Sequence, residues 1–229
     1  MEITYLGHSC FKIRGKQTTV ITDPCAPEIG YDLGKATAGI VTVSHAHPGH
    51  DYVAGLSGDH RLINRPGEYE VSGTLVIGLP TFHDNEQGVK RGKNIVYALE
   101  MDELSLCHLG DLGHPLTNAQ LEEIGRVDIL MVPVGGIHTI GASSAAALVR
   151  QMDPRIVLPM HYRTTLSSRQ ELDPVQSFLH EMGIHEATPQ AKLNVTKSNL
   201  PLLMQVSLLE YPGGKNELPE TSALNPRLL

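Results

Sequence analysis

Hydrophobic and polar residues alternate from the start of the chain, which is the pattern of half-buried β-strands. Short β-rich runs at 2–6, 9–14 and 18–22 are separated by turns that contain glycine. Residues 39–43 form a nearly continuous apolar, β-branched run, which predicts a strand covered on both faces. Further strands are predicted at 60–64, 68–71, 74–79, 94–100 and 104–108. The first half of the chain is therefore expected to be mainly β-structure.

In the second half of the chain, helices are predicted to alternate with strands. Thr117 is expected to cap a helix that continues to about Ile124, and residues 142–152 have the composition of a second helix. A third helix is expected to begin at Asp173 or Pro174. Strands are predicted at 128–132, 155–158 and about 202–210.

This order of elements favours an α/β fold in which two mixed sheets pack together with helices outside them. The chain of 229 residues is long enough for one large domain. We expect residues 1–211 to form a single domain and the polar residues 212–229 to form a flexible tail.

Charge and composition narrow the classes of function. The formal net charge is −7, and the one small basic cluster, Lys90, Arg91 and Lys93, fits a solvated loop better than a nucleic-acid interface. No run approaches the roughly 18 apolar residues that span a bilayer, and no secretion signal is visible. Three cysteines without a CxxC pair fit a reducing compartment. We expect a cytoplasmic protein with no membrane span.

Histidine is unusually frequent, with 12 residues in an acidic chain. His45 and His47 directly follow the predicted strand at 39–43, and residues i and i+2 of an extended segment point the same way. Pro48-Gly49 then turns the chain before His50. A single histidine is more often structural, but three within six residues after a buried strand predict a shared metal ion.

Three more polar side chains follow apolar strands in the same way. They are His83, Asp111 and His161. Because α/β folds place their sites in the loops at strand ends, these residues are expected to meet the histidine triplet at one edge of the sheets. Nitrogen and carboxylate ligands suit zinc, with manganese or iron as alternatives.

The segment His45-Ala46-His47-Pro48-Gly49-His50 resembles the HxHxDH signature of the metallo-β-lactamase superfamily. Four other segments resemble the same family, namely Tyr5-Leu6-Gly7-His8-Ser9-Cys10-Phe11, Thr22-Asp23-Pro24, Gly110-Asp111 and Pro159-Met160-His161-Tyr162. Together these segments resemble the motifs of a bacterial branch of the family, which includes ascorbate-phosphate lactonase and relatives of N-acyl-phosphatidylethanolamine phospholipase D. The resemblance covers about residues 1–185 and implies a four-layer αββα sandwich.

The resemblance also implies a ligand set and a reaction. His45, His47 and His83 would hold one metal ion, His50 and His161 a second, and Asp111 would bridge the two and serve catalysis. A metal-activated water would then attack a small-molecule ester, lactone or phosphoester. No G-x-S-x-G motif is present to suggest a serine nucleophile instead. Family members also often self-associate, so a homo-oligomer is possible.

One position departs from the family signature. Where the family has an aspartate that binds the second ion, this chain has Gly49, and Asp51 is too far along the chain to replace it simply. The leading hypothesis is therefore a hydrolase with one or two zinc ions and a weakened second site. The alternative is a non-enzymatic member that binds metal or ligand. A nuclease of the same superfamily is a weaker third option, because the chain is acidic.

Four further residues are candidates at the site. His8, His114 and His138 are expected to bind substrate, and Asp23 is expected to orient a ligand histidine from behind. Each has a simpler interpretation: turn polarity for His8, a surface loop for His114, a glycine-rich helix start for His138 and an Asp-Pro turn for Asp23.

Overall fold

The computed structural model describes residues 1–213, so most of the predicted tail at 212–229 lies outside the described residues. Two β-sheets form the body of the protein. The first sheet has six strands: β1 (Glu2–Gly7), β2 (Cys10–Arg14), β3 (Thr19–Thr22), β4 (Ile40–Thr42), β5 (Arg61–Ile63) and β12 (Leu193–Asn194). The second sheet has seven: β6 (Gly67–Val71), β7 (Thr74–Phe82), β8 (Lys93–Met101), β9 (Leu104–His108), β10 (Ile129–Pro133), β11 (Ile156–Met160) and β13 (Gln205–Val206).

Each sheet combines antiparallel and parallel pairs. The first has the order β12-β1-β2-β3-β4-β5, and β3, β4 and β5 are parallel. The second has the order β13-β11-β10-β9-β8-β7-β6, and β9, β10, β11 and β13 are parallel. Because parallel strands share their carboxyl ends, the loops after β4, β9 and β11 can carry residues to a common edge.

The two sheets pack face to face, and the alternation along each strand decides which core a residue joins. In β10, Ile129 and Met131 belong to the core between the sheets, whereas Leu130 and Val132 face a second core with the helices. That second core buries helical side chains such as Phe178. The strand therefore reads as a continuous apolar run because both of its faces are covered.

Three α-helices cover the seven-stranded sheet: α1 (Asn118–Ile124), α2 (Ala142–Met152) and α3 (Val175–Glu181). Thr117 caps α1, as the sequence predicted, and forms a capping box with Gln120. The predicted α/β sandwich is thus confirmed. Within residues 1–213 all three helices lie against the seven-stranded sheet, and the first half of the chain has only the 3-10 turns Pro27–Ile29 and Val53–Gly55. None of the described helices has the length and apolar character to cross a membrane.

The last predicted strand, 202–210, is wrong for most of its length. Only Gln205 and Val206 pair with β11, while Leu202 and Leu203 are exposed. Leu208 and Leu209 are buried in the two cores without belonging to a strand. Leu209 forms only an isolated parallel bridge with Gln190, so the apolar pattern in this segment reports burial of side chains rather than a continuous strand.

Candidate metal centre

The six predicted metal ligands lie together where the two sheets meet. His45, His47 and His50 follow β4 of the first sheet, whereas His83, Asp111 and His161 follow β7, β9 and β11 of the second. All six belong to groups whose donor atoms lie within 4.8 Å of one another. Both sheets therefore contribute ligands to one cluster.

The Asp111 carboxylate is the centre of the cluster. Its Oδ2 atom lies 3.1 Å from Nε2 of His50, 3.2 Å from Nε2 of His83, 3.3 Å from Nε2 of His161 and 3.8 Å from Nε2 of His45. One carboxylate oxygen has too few lone pairs to accept four N–H groups.

Among the described residues, several of these buried atoms also find no hydrogen-bond partner: Nε2 of His45, Nε2 of His50 and Oδ1 of Asp111. Buried polar atoms are rarely left unpaired unless an ion, a water or a ligand completes them. The side chains are thus arranged around a shared centre and do not satisfy one another's hydrogen-bonding groups. Imidazole and carboxylate ligands of this kind fit zinc, manganese or iron.

Asp23 fixes the orientation of two of the ligands. Its Oδ2 atom accepts from Nδ1 of His50 at 2.9 Å and from the Ser44 hydroxyl at 2.6 Å. Because the hydroxyl donates to Asp23, its oxygen is left to accept from Nδ1 of His45, 3.0 Å away. In their neutral forms both rings then carry their proton on Nδ1 and turn Nε2 toward the shared centre, where an ion could bind it. These contacts are the ones Asp23 needs for the role predicted from the sequence, which is to orient a ligand histidine.

Asn94 positions Asp111 in a similar way. Its side-chain oxygen accepts from the backbone N–H of Asp111 at 2.9 Å, and its amide nitrogen donates to the Thr81 hydroxyl and to the Leu109 carbonyl. Gly110 has φ of 56°, and a Cβ atom at this position would lie 2.4 Å from the Asn94 oxygen. Only glycine fits between these groups, so the turn that presents Asp111 is specified locally.

Burial and neighbouring charges set the protonation of the protein groups. Burial, reinforced by the nearby His50, lowers the pKa of His45 to about 3, so this ring is neutral with a free lone pair. Burial acts to lower the pKa of His50 too, but the Asp111 and Asp23 carboxylates outweigh it and raise the pKa to about 10. Burial acts to raise the pKa of Asp111, yet His161 and His50 hold it well below its ordinary value. Metal binding would therefore displace a proton from His50.

A cavity of about 340 Å³ opens over this cluster. Its lining includes five of the six predicted ligands and two cationic side chains: His45, Ala46, His47, His83, Arg91, Asp111, His138, His161, Arg169 and Leu172. The Arg169 guanidinium lies 3.1 Å from Nε2 of His47 and 3.6 Å from the Glu171 carboxylate. The cavity therefore has donor groups for a metal at its floor and positive charge at its wall.

The loop that carries Arg91 is organised by one buried carboxylate. Asp84 accepts hydrogen bonds from the backbone N–H groups of Glu86, Gly88, Lys90 and Arg91 at 2.7–2.9 Å. Desolvation acts to raise the pKa of Asp84, but these four N–H groups outweigh it and lower the pKa to about 2. The arginine thus reaches the cavity from an ordered loop.

The three predicted substrate-binding histidines occupy different places. His138 lines the cavity, and its Nε2 atom lies 4.0 Å from Glu171. His114 is beside the site but its ring contacts backbone, accepting from the Phe82 N–H at 3.2 Å and lying 2.8 Å from the Pro115 carbonyl. His8 is buried, 1% exposed, among the metal-ligand side chains and does not line the cavity.

Sequence reasoning missed four residues of this arrangement. Ser44 and Asn94 have no motif of their own, and their roles depend on contacts across the fold. Arg91 was visible only as part of a basic loop, and Arg169 lies in a loop that pattern alone cannot place. No signal in the sequence distinguishes these residues from ordinary polar positions.

Comparison with known proteins identifies the family. A family profile described as "Beta-lactamase superfamily domain" matches residues 2–161, well over half of the chain. A crystal structure from Thermotoga maritima, assigned as a Zn-dependent hydrolase of the metallo-β-lactamase superfamily, is 37% identical with a TM-score of 0.76. The matched region covers 91% of this chain and 97% of the Thermotoga maritima chain. The chain belongs to the metallo-β-lactamase superfamily.

Two curated relatives in this superfamily carry the name metal-dependent hydrolase. The protein from Methanoculleus marisnigri is 31% identical over 196 residues, which is 76% of this chain and 86% of the relative. The protein from Methanopyrus kandleri is 26% identical over 215 residues, which is 80% of this chain and 94% of the relative. The predicted superfamily is confirmed, and these relatives support the predicted class of metal-dependent hydrolase.

Proposed function

We propose that this metal-dependent hydrolase cleaves a small ester, lactone or phosphoester that carries a negative charge. The observation behind this proposal is the combination of the Asp111-centred cluster with two arginines, Arg91 and Arg169, on the wall of the same cavity. Metal ligands alone would serve many reactions. The two cations add a preference for an anionic substrate, because a guanidinium binds carboxylate or phosphate through paired donors.

The residues of the chain have separable roles in this reaction. Ions held by the histidines and Asp111 would lower the pKa of a bound water and polarise the substrate oxygen. Among residues 1–213 the Oδ1 atom of Asp111 has no hydrogen-bond partner, so this oxygen is free to bind an ion, and Asp111 would serve the reaction as a metal ligand. Arg91 and Arg169 hold the anionic group, and His138 lines the opening beside them.

The contacts of His47 support a role for Arg169 in binding the substrate. Nδ1 of His47 accepts from the Gly49 N–H at 3.1 Å, and Nε2 lies 3.1 Å from Arg169. A neutral imidazole has only one accepting nitrogen, so the two donors compete for the ring. The Gly49 donor belongs to the backbone, whereas the Arg169 side chain can turn toward an anion in the cavity.

We further propose zinc as the resident ion, with manganese or iron as alternatives that elemental analysis separates. The nitrogen-rich donor set supports zinc. The three cysteines, all free and buried, support a reducing compartment such as the cytoplasm. A homo-oligomer is also proposed, and light scattering would test it.

The test is hydrolysis of matched substrate pairs by the zinc-loaded protein. Anionic aryl esters and phosphodiesters are compared with neutral esters of the same leaving group. We expect Asp111→Asn to abolish turnover, and Arg91→Ala with Arg169→Ala to lower kcat/KM for the anionic member of each pair much more than for the neutral one. Equal losses on both members would refute the role of the arginines. No turnover with any metal would refute the hydrolase.

The second candidate is a non-enzymatic member that binds a ligand over an incomplete metal site. Gly49 favours it, because this position lacks the carboxylate of the family signature. Gly49→Asp discriminates between the two functions. If the substitution creates turnover that the natural chain lacks, the natural chain is not an enzyme. If the natural chain is already fully active, the second candidate is excluded.

A further inference from the structure

The space beside Gly49 is occupied by another side chain. A Cβ atom built on Gly49 would lie 3.0 Å from Nε2 of His8 and 3.2 Å from Nδ1 of His47. Both distances are tighter than ordinary van der Waals contact, so a side chain at this position would press directly on the His8 ring. The imidazole of His8 therefore stands where a side chain of residue 49 would point.

His8 is also part of the ligand cluster rather than of the surface. Its donor atom lies within 4.8 Å of those of His50 and His161, and all three residues are buried. The ring centroid of His8 lies 4.3 Å from that of His161 and 5.1 Å from that of His50. Nδ1 of His8 is buried and has no hydrogen-bond partner within residues 1–213. An imidazole that is only packed in a core normally pairs its nitrogens with protein groups, and this one does not.

The backbone holds His8 in this position against its own preference. His8 has φ of 54° and His161 has φ of 52°, values that cost conformational energy for residues other than glycine. The His8 carbonyl accepts from both the Tyr5 hydroxyl at 3.0 Å and the His161 N–H at 2.9 Å. These bonds hold the two strained turns together, and the His8 and His161 rings lie side by side at an interplanar angle of 44°.

We propose that His8 is the ligand of the second metal ion that replaces the missing side chain of Gly49. This assignment rests on the metal dependence in the proposed function and adds the composition of its second site: His8, His50, His161 and Asp111. An uncharged nitrogen takes the place of a charged oxygen in this set. The second site should therefore favour zinc or iron over manganese or magnesium, because imidazole suits the former and carboxylate the latter.

The test is a ligand exchange between positions 8 and 49, read by metal content rather than by activity. The chelated protein is titrated with zinc in a calorimeter, and bound zinc is counted by elemental analysis. We expect two ions in the natural chain and one in His8→Ala, with the dissociation constant of the second ion raised at least as much as the about 10–100-fold that loss of a supporting residue costs. His8→Ala also vacates the space beside Gly49, so adding Gly49→Asp should restore the second ion.

Controls separate this assignment from loss of fold and from loss of the hydrolase function. His185→Ala removes an exposed histidine outside the cluster and should keep both ions. If His8→Ala is not folded by circular dichroism, His8→Gln retains most of the volume and serves in its place. Equal zinc content and affinity in the natural chain and the folded His8 variant would overturn the assignment alone. A natural chain that binds no zinc, manganese or iron would overturn the metal-dependent function as well.

Discussion

Asp23→Asn is the most direct test of how the metal ligands are oriented. The carboxylate is fully buried and accepts three hydrogen bonds, from Nδ1 of His50 at 2.9 Å and from the hydroxyl and N–H of Ser44 at 2.6 and 2.8 Å. Asparagine has nearly the same shape but carries an NH₂ group in place of one oxygen. If that group faces His50, two donors oppose each other, and the neutral form of the ring, which is the form that binds metal, must carry its proton on Nε2.

The magnitude follows from the loss of this partner. A proton on Nε2 of His50 occupies the lone pair that should bind the ion, so metal affinity falls. Loss of such a supporting carboxylate costs about 10–100-fold in metal affinity, which is about 1.4–2.8 kcal/mol. Ser44→Ala breaks only the link to His45 and leaves the bond between Asp23 and His50, so its loss should be smaller.

The assay is competition for zinc between the protein and a chromophoric chelator at neutral pH. Asp51→Asn is the matched control, because Asp51 is exposed and belongs to none of the metal-donor groups found in the described part of the chain. Circular dichroism of each chelated variant establishes that it is folded. A folded Asp23→Asn protein with the zinc affinity of the natural chain would refute the orienting role, as would an equal loss in Asp51→Asn.

Three further predictions concern stability. Removal of metal by a chelator should lower Tm, because an ion at 100 times its Kd stabilises the fold by about 2.7 kcal/mol; an unchanged Tm would contradict the site. Asp84→Asn should lower the stability of the chelated protein above about pH 4. Because folding lowers the pKa of Asp84 from 3.8 to about 2, the difference in stability between the natural chain and the variant should vanish as the pH falls through 2. A pH-independent difference in denaturant midpoint would argue against the loop role. Tyr97→Phe should cost about 1–3 kcal/mol in urea unfolding, because the buried hydroxyl lies 2.9 Å from the carbonyls of both Val43 and Ile63; an unchanged midpoint would refute it.

Much of the fold was predictable because its strands and helices have unambiguous patterns. The run at 129–133 is apolar on both faces, and the structure covers both faces. The ligands were predictable for a related reason. His83, Asp111 and His161 each stand immediately after an apolar strand, and strand ends in this architecture meet at one edge.

The rest of the site depends on approaches between distant segments that no local pattern encodes. The pairing of Asp23 with Ser44 and His50 requires the register of β3 against β4. The position of His8 required knowledge that residues 8, 49 and 161 meet in space. The predicted strand at 202–210 failed because buried leucines look alike in sequence whether or not their backbone pairs.

The division of the ligands between the two sheets has a mechanical consequence. Three ligands follow strands of one sheet and three follow strands of the other: His45, His47 and His50, and His83, Asp111 and His161. Any ion that binds ligands from both sets therefore connects the two sheets. Sliding of one sheet over the other would change the distances around the ion, and ion binding would resist that sliding. The ion would thus stabilise the packing of the two sheets as well as take part in the reaction. Its release would weaken the contact between the sheets, which also shapes the cavity.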